Sequence, residues 1–125
     1  MKLVSTQIDE MSLVALGKEA SAMLLRQDFS GLAERFGYAV AFDRAIPAAI
    51  EADFRNAVGS PNRTRAVTAV EVDVKFFAPN DCNLCAAVEC LVPVADGAYI
   101  NLELIVTGVE AGAFVTLEDV SGFVP

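Results

Sequence analysis

The 125 residues contain no histidine, no tryptophan, only three cysteines, and no lysine or arginine after position 75. Without histidine there is no base for a Ser-His or Cys-His nucleophile, which removes many hydrolases. A structural zinc site would need a carboxylate to complete it. Cys82-Asn83-Leu84-Cys85, followed by Cys90, is one CxxC without a second pair. On a regular strand Cys85 and Cys90 point to opposite faces, so no metal site is assigned. Cys90 reads as a small core hydrophobe, and Cys82 as a loop thiol able to oxidise or pair with Cys85. An odd cysteine count, behind an N-terminus (Met1-Lys2-Leu3-Val4-Ser5) with no apolar signal stretch, predicts a reducing, cytoplasmic setting. No apolar run reaches the roughly 18 residues of a membrane span, so no membrane role is expected. The eight glycines are scattered, with no phosphate-cradling loop ahead of a helix. Basic residues are too few and too dispersed for nucleic acid. No cofactor and no catalytic motif is expected.

What is present is 54% hydrophobic residues, 21% charged residues and a mean hydropathy of +0.47, enough apolar material for one domain over residues 1–125 without staples. The charge is −8, and its placement is uneven. Residues 76–125 carry seven acids (Asp81, Glu89, Asp96, Glu103, Glu110, Glu118 and Asp119) and no basic residue, so −7 of the −8 lies there. Such asymmetry either steers a basic partner or keeps a strand-rich half soluble.

Residues 5–59 read as helical and 65–123 as an antiparallel meander. Ser5 or Thr6 is a candidate cap for a helix with Asp9 and Glu10 in its first turn and Met11, Val14, Leu16, Ala20, Met23 and Leu24 on one stripe to about Arg26, weakened slightly by Gly17. Asp28 or Ser30 caps a short helix from Gly31 to Phe36, closed by Gly37. Tyr38 to Phe42 reads as a short strand. Pro47 suits the first turn of a third helix that presents Ile46, Ile50, Phe54, Ala57 and Val58 and stops at Gly59. After the loop Ser60 to Thr64 the period switches to two. Strands are expected over Arg65 to Phe77, Leu84 to Val94, Tyr99 to Val109 and Phe114 to Val120, with Asp96-Gly97 as a hairpin turn and Glu110-Ala111-Gly112 as another. The last strand alternates poorly, because Val115 and Leu117 share parity with Asp119. The order is α-α-β-α-β-β-β-β, an α+β fold with helices covering one sheet face.

The long first helix, the segment Arg26-Gln27-Asp28-Phe29-Ser30-Gly31-Leu32-Ala33-Glu34-Arg35-Phe36, the Tyr38 to Phe42 strand and the Ala48 to Phe54 helix together resemble the nuclear-transport-factor-like, or cystatin-like, cone superfamily of ketosteroid isomerases and polyketide cyclases. The resemblance spans most of the chain. It implies a curved sheet wrapped around helices, an apolar pocket at the open end, and frequent homodimers. Isomerase-like members place a carboxylate base after the first strand. Only Asp43 stands on comparable ground, and a solvated pair with Arg44 or a cap on the next helix accounts for it, so the role is not transferred.

Two functional expectations follow. In the first, Glu71, Asp73, Glu89, Asn101 and Glu103 lie on one sheet face, and their crowded charge binds a basic protein, as small acidic immunity proteins cap basic toxins. Arg63, Arg65 and Lys75 are the internal alternatives for pairing with them. On an open face these carboxylates serve neither as general acid nor as tuned base, and the same face is a poor surface for self-association unless cross-subunit pairs offset the acids. In the second, a pocket near Tyr38, Asp43 and Tyr99 takes a small apolar ligand, with the two phenols orienting it. A small dimeric domain whose task is assembly is the third reading.

Overall fold

The computed structural model describes residues 1–4, 7–109 and 112–122. It is an α+β fold in which three helices pack on one face of a five-stranded antiparallel sheet. The elements in chain order are β1 (Lys2–Val4), α1 (Glu10–Leu25), α2 (Phe29–Phe36), α3 (Ile46–Gly59), β2 (Glu71–Phe76), β3 (Leu84–Ala95), β4 (Ala98–Val109) and β5 (Gly112–Ser121). The sheet order is β1-β5-β4-β3-β2.

Local chemistry sets the helix ends. The Asp9 carboxylate accepts the Ser12 N–H at 2.7 Å and starts α1, while the expected caps Ser5 and Thr6 lie outside the described residues. Asp28 caps α2 through the Gly31 N–H at 3.0 Å, and Gly37 at φ 67° ends it. Pro47 sits in the first turn of α3, where its missing N–H costs nothing. The buried faces are rotated from the expected stripes. Met11 is exposed and Leu13 and Gly17 are buried on α1, and Ile46 and Val58 are partly exposed while Ala49 is buried on α3.

The core lies between the helices and the inner sheet face, where Val88, Cys90, Val92, Ile100, Leu102, Leu104, Val106, Val115 and Leu117 meet Leu13, Leu24, Leu32, Phe36 and Ile50. The Phe29 and Phe54 rings, 5.6 Å apart, join α2 to α3. Asp96 and Gly97 both take positive φ, giving the tight turn whose twist suits a two-residue hairpin between β3 and β4.

Two expectations are corrected, and one strand is new. Tyr38 to Phe42 is no strand. Phe42 and Asp43 stand at φ 45° and 27°, which an extended chain cannot accommodate, and the segment turns, with the Ala39 N–H alone reaching the sheet, at the Leu117 carbonyl 2.9 Å away. The strand expected from Arg65 spans only Glu71–Phe76, because residues 60–70 are spent crossing from α3 to the sheet edge, held by Asn62 against Tyr99 and the Val67 N–H on the Gly97 carbonyl. An unexpected strand, Lys2–Val4, pairs with β5. The poor alternation of the last strand has a physical cause: a bulge in β5, where the register passes from Asp119 opposite Glu103 to Leu117 opposite Leu104 and leaves Glu118 over. That extra residue changes the phase, so Leu117 and Val120 both enter the core and Asp119 does not. Of the turn expected before this strand, Glu110 and Ala111 lie outside the described residues. No described helix is long and apolar enough to cross a membrane.

Candidate functional site

The sheet face away from the helices has an ordered charge pattern. In β2, β3 and β4 the residues opposite the core parity are Glu71, Asp73 and Lys75, then Ala87, Glu89 and Leu91, then Asn101, Glu103, Ile105 and Thr107. Register then does what spacing alone cannot. Asp73 pairs directly with Glu89, Glu89 with Glu103, and Glu103 with Asp119, forming one row of four carboxylates across four strands. The next row runs Glu71, Leu91, Asn101, Ser121. All five residues expected on the acidic face therefore share it, and Asp119, which the bulge returns to this side, joins them. Its even spacing from Val115 and Leu117 hid it.

Directly opposed side chains stand about 5 Å apart, and like charges so placed are mutually destabilising by roughly 0.2–1 kcal/mol per pair. The molecule relieves only part of this. Arg65 forms a two-pronged pair with Glu71 at 2.7 and 3.0 Å, and Ser121 donates to Asp119 at 2.8 Å. The Lys75 ammonium lies 5.6 Å from the centre of the Phe77 ring. A shallow concavity of about 460 Å³ on this face is lined by Arg65, Glu71, Val72, Asp73, Glu89 and Leu91.

Glu103, in the middle of the row, is held above the usual carboxylate range, first by burial and then by the charges of Glu89, Asp119 and Glu118. Asp119 is raised as well, by burial ahead of the Asp53 charge, against the Ser121 hydrogen bond. Linkage fixes the sign of the consequence. A carboxyl raised on folding binds its proton more tightly in the native state, so its contribution favours folding at low pH and is lost as pH rises through the raised value. Glu103→Gln is therefore expected to be more stable than the parent at neutral pH, by about 1 kcal/mol. The two should converge as pH falls through the raised value, where Glu103 takes up its proton. Urea melts across that window check this, and a less stable Glu103→Gln at neutral pH would refute the repulsion.

The residues of the expected pocket do not meet. Tyr38 belongs to the core side, where its hydroxyl donates to Asp53 at 2.6 Å. Tyr99 has the parity of Asn101 and Glu103 on the opposite face, and its hydroxyl is 2.9 Å from that of Thr64. Asp43 is exposed in the turn before α3. Arg44 does not pair with Asp43 but reaches Asp53 at 3.0 and 3.3 Å, and the capping position of α3 is Ala45, with no side-chain bond. Burial and then the Asp53 bond push the Tyr38 phenol far up. For Asp53, burial works upward, but the hydrogen bonds from Arg44 and Tyr38 outweigh it and hold the carboxyl low. A tightly held carboxylate with a phenol that keeps its proton is a brace, not a base.

The cysteines are likewise dispersed: Cys82 is exposed in a turn organised by the Asn80 side chain, Cys85 is half-buried and Cys90 buried. Burial pushes the Cys90 thiol up to about 11, which leaves it unreactive. Among the described residues no group of three or more acidic or sulfur ligands is arranged to hold a metal. No protein-family model, no curated protein and no solved structure matches this chain.

Proposed function

We propose that this protein is a noncatalytic binding module whose open sheet face receives a basic surface of another protein. The observation that carries this reading is the in-register row Asp73, Glu89, Glu103 and Asp119, none of which forms a salt bridge across this face among the described residues, Arg65 being paired with Glu71 beside it. The repulsion stored in the row is relieved when lysines or arginines of a partner settle over it. That is how charged faces raise encounter rates and select partners.

The test compares the parent with Asp73→Asn/Glu89→Gln/Glu103→Gln/Asp119→Asn as baits for native proteins. The parent is expected to retain a basic protein at low salt and release it at high salt. The purified partner should bind the fourfold variant about tenfold more weakly or worse. Identical retention by both baits, or retention indifferent to salt, would overturn the reading.

A second reading, a cone-like protein holding a small apolar molecule, draws support from one feature. A cleft of about 520 Å³ opens between α1, α3 and β3, lined by Leu25, Gln27, Phe54, Arg55, Val58, Gly59 and Val94. Its size lies within the range of small-molecule sites. A bound apolar dye that Val58→Asp expels would favour this reading over the first.

A further inference from the structure

The two edges of the sheet are treated differently. At β5 the backbone is covered: β1 pairs with residues 112–114, the Val115 N–H and carbonyl both bond to Met1, and the Leu117 carbonyl takes the Ala39 N–H. At the other edge, among the described residues, β2 has a neighbour only in β3. The Phe77 N–H bonds to the Cys85 carbonyl, and the register from Glu71 to Phe76 is unbroken. Alternation then turns the N–H and C=O groups of Glu71, Asp73 and Lys75 toward β3 and those of Val72, Val74 and Phe76 outward. The exposed edge is a template for another strand. It is also oily on the helix side, where Val72 and Val74 are half-buried and Phe76 is 49% exposed.

We propose that this edge pairs with the same edge of a second copy of the chain, β2 against β2 about a twofold axis through Val74. Only antiparallel registers that bring outward-facing backbone groups together are admissible, and side chains choose among them. With Val74 opposite the partner's Val74, Val72 meets the partner's Phe76 and covers its exposed ring. On the other face Asp73 meets the partner's Lys75, and by symmetry Lys75 meets the partner's Asp73. A shift of two residues one way opposes Asp73 to the partner's Asp73, and a shift the other way opposes Lys75 to the partner's Lys75. The register with Asp73 against Asp73 also sets Glu71 opposite Lys75, but Glu71 is already held by Arg65, so the Val74 register is the one of the three with no like-charged pair. A twofold contact requires such self-complementarity. This pairing engages Asp73 at the end of the carboxylate row and leaves Glu89, Glu103 and Asp119 facing outward, so it does not rest on what the row binds.

The test is the mass of the full chain in solution, by light scattering and sedimentation, for the parent and two charge variants. The parent is expected to be a dimer. Asp73→Lys and Lys75→Asp, each alone, place like charges opposite each other twice per dimer and should weaken association about tenfold. An equimolar mixture of the two variants restores opposite charges at every outer-face pair and should form a heterodimer. Unchanged circular dichroism of each variant shows that the fold survives. A monomeric parent, single variants that dimerise as well as the parent, or a mixture that stays monomeric would each overturn the proposal.

Discussion

Gly17→Leu is expected to cost about 3 kcal/mol or more of folding stability, read as a lowered midpoint in urea at an unchanged slope. Gly17 is buried in the middle of α1, against Val72 of β2 and Val88 and Cys90 of β3. A side-chain carbon there would stand 2.8 Å from the Val88 methyl, 2.9 Å from that of Val72 and 3.0 Å from the Cys90 sulfur, nearer than such atoms pack. The Gly17 carbonyl also accepts the Cys90 thiol at 3.6 Å, so the helix backbone itself is in contact with β3 here. A leucine must either lift α1 from β2 and β3 or force several core side chains from their rotamers. Gly17→Ala sets two effects against each other: an intrinsic helix gain of about 1 kcal/mol and three contacts of 2.8, 2.9 and 3.0 Å, too close to keep without a shift of Val88, Val72 or the helix. The leucine variant leaves no such balance, and one within about 1 kcal/mol of the parent would mean that α1 does not approach the sheet this closely.

Gly17 also marks where sequence reasoning stops. Read along the chain, it is a mild helix defect. Only the tertiary approach makes it the contact point, and a missing side chain carries no periodic signal. The strands β2 and β4 were legible because they are wet on one side and dry on the other, so Val70 to Phe76 and Ile100 to Val106 declare their parity. Tyr38 to Phe42 misled because a short apolar run looks the same whether it enters a sheet or folds back as a turn, and positive φ at Phe42 leaves no mark in residue type. The acidic face was legible in its composition but not in its order. That Asp73, Glu89, Glu103 and Asp119 fall in one row depends on turn lengths and on the Glu118 bulge, which alternation registers only as a disturbance. The partner of Arg44 was illegible for a simpler reason: the adjacent Asp43 offers an opposite charge at no sequence distance, whereas Asp53 lies on a helix that must first be placed.

Asp53→Ala is expected to cost about 2 kcal/mol at neutral pH, and Tyr38→Phe about 1 kcal/mol. The asymmetry follows from what each leaves behind. Asp53 accepts the Tyr38 hydroxyl and two Arg44 nitrogens, and Arg44 donates in addition to the Ala41 and Val40 carbonyls, each at 2.7 Å. One carboxylate on α3 therefore ties down the turn from Tyr38 to Arg44. Removing it deprives a buried tyrosine and a guanidinium of their partner together, whereas removing the phenolic oxygen leaves Asp53 still paired with Arg44. The pH dependence separates this account from a packing effect. Because the Asp53 carboxyl is held below its ordinary value, its stabilisation is present at neutral pH and is lost as pH falls through that lowered value. Parent and Asp53→Ala should therefore draw together in acid, whereas a deficit due to packing alone would persist. The loss reaches the sheet as well. The tethered turn supplies the Ala39 N–H that covers Leu117 on β5, so loosening it uncovers part of an edge that the native fold keeps closed. Faster aggregation of Asp53→Ala than of Tyr38→Phe, at concentrations where the parent stays soluble, is the accompanying expectation.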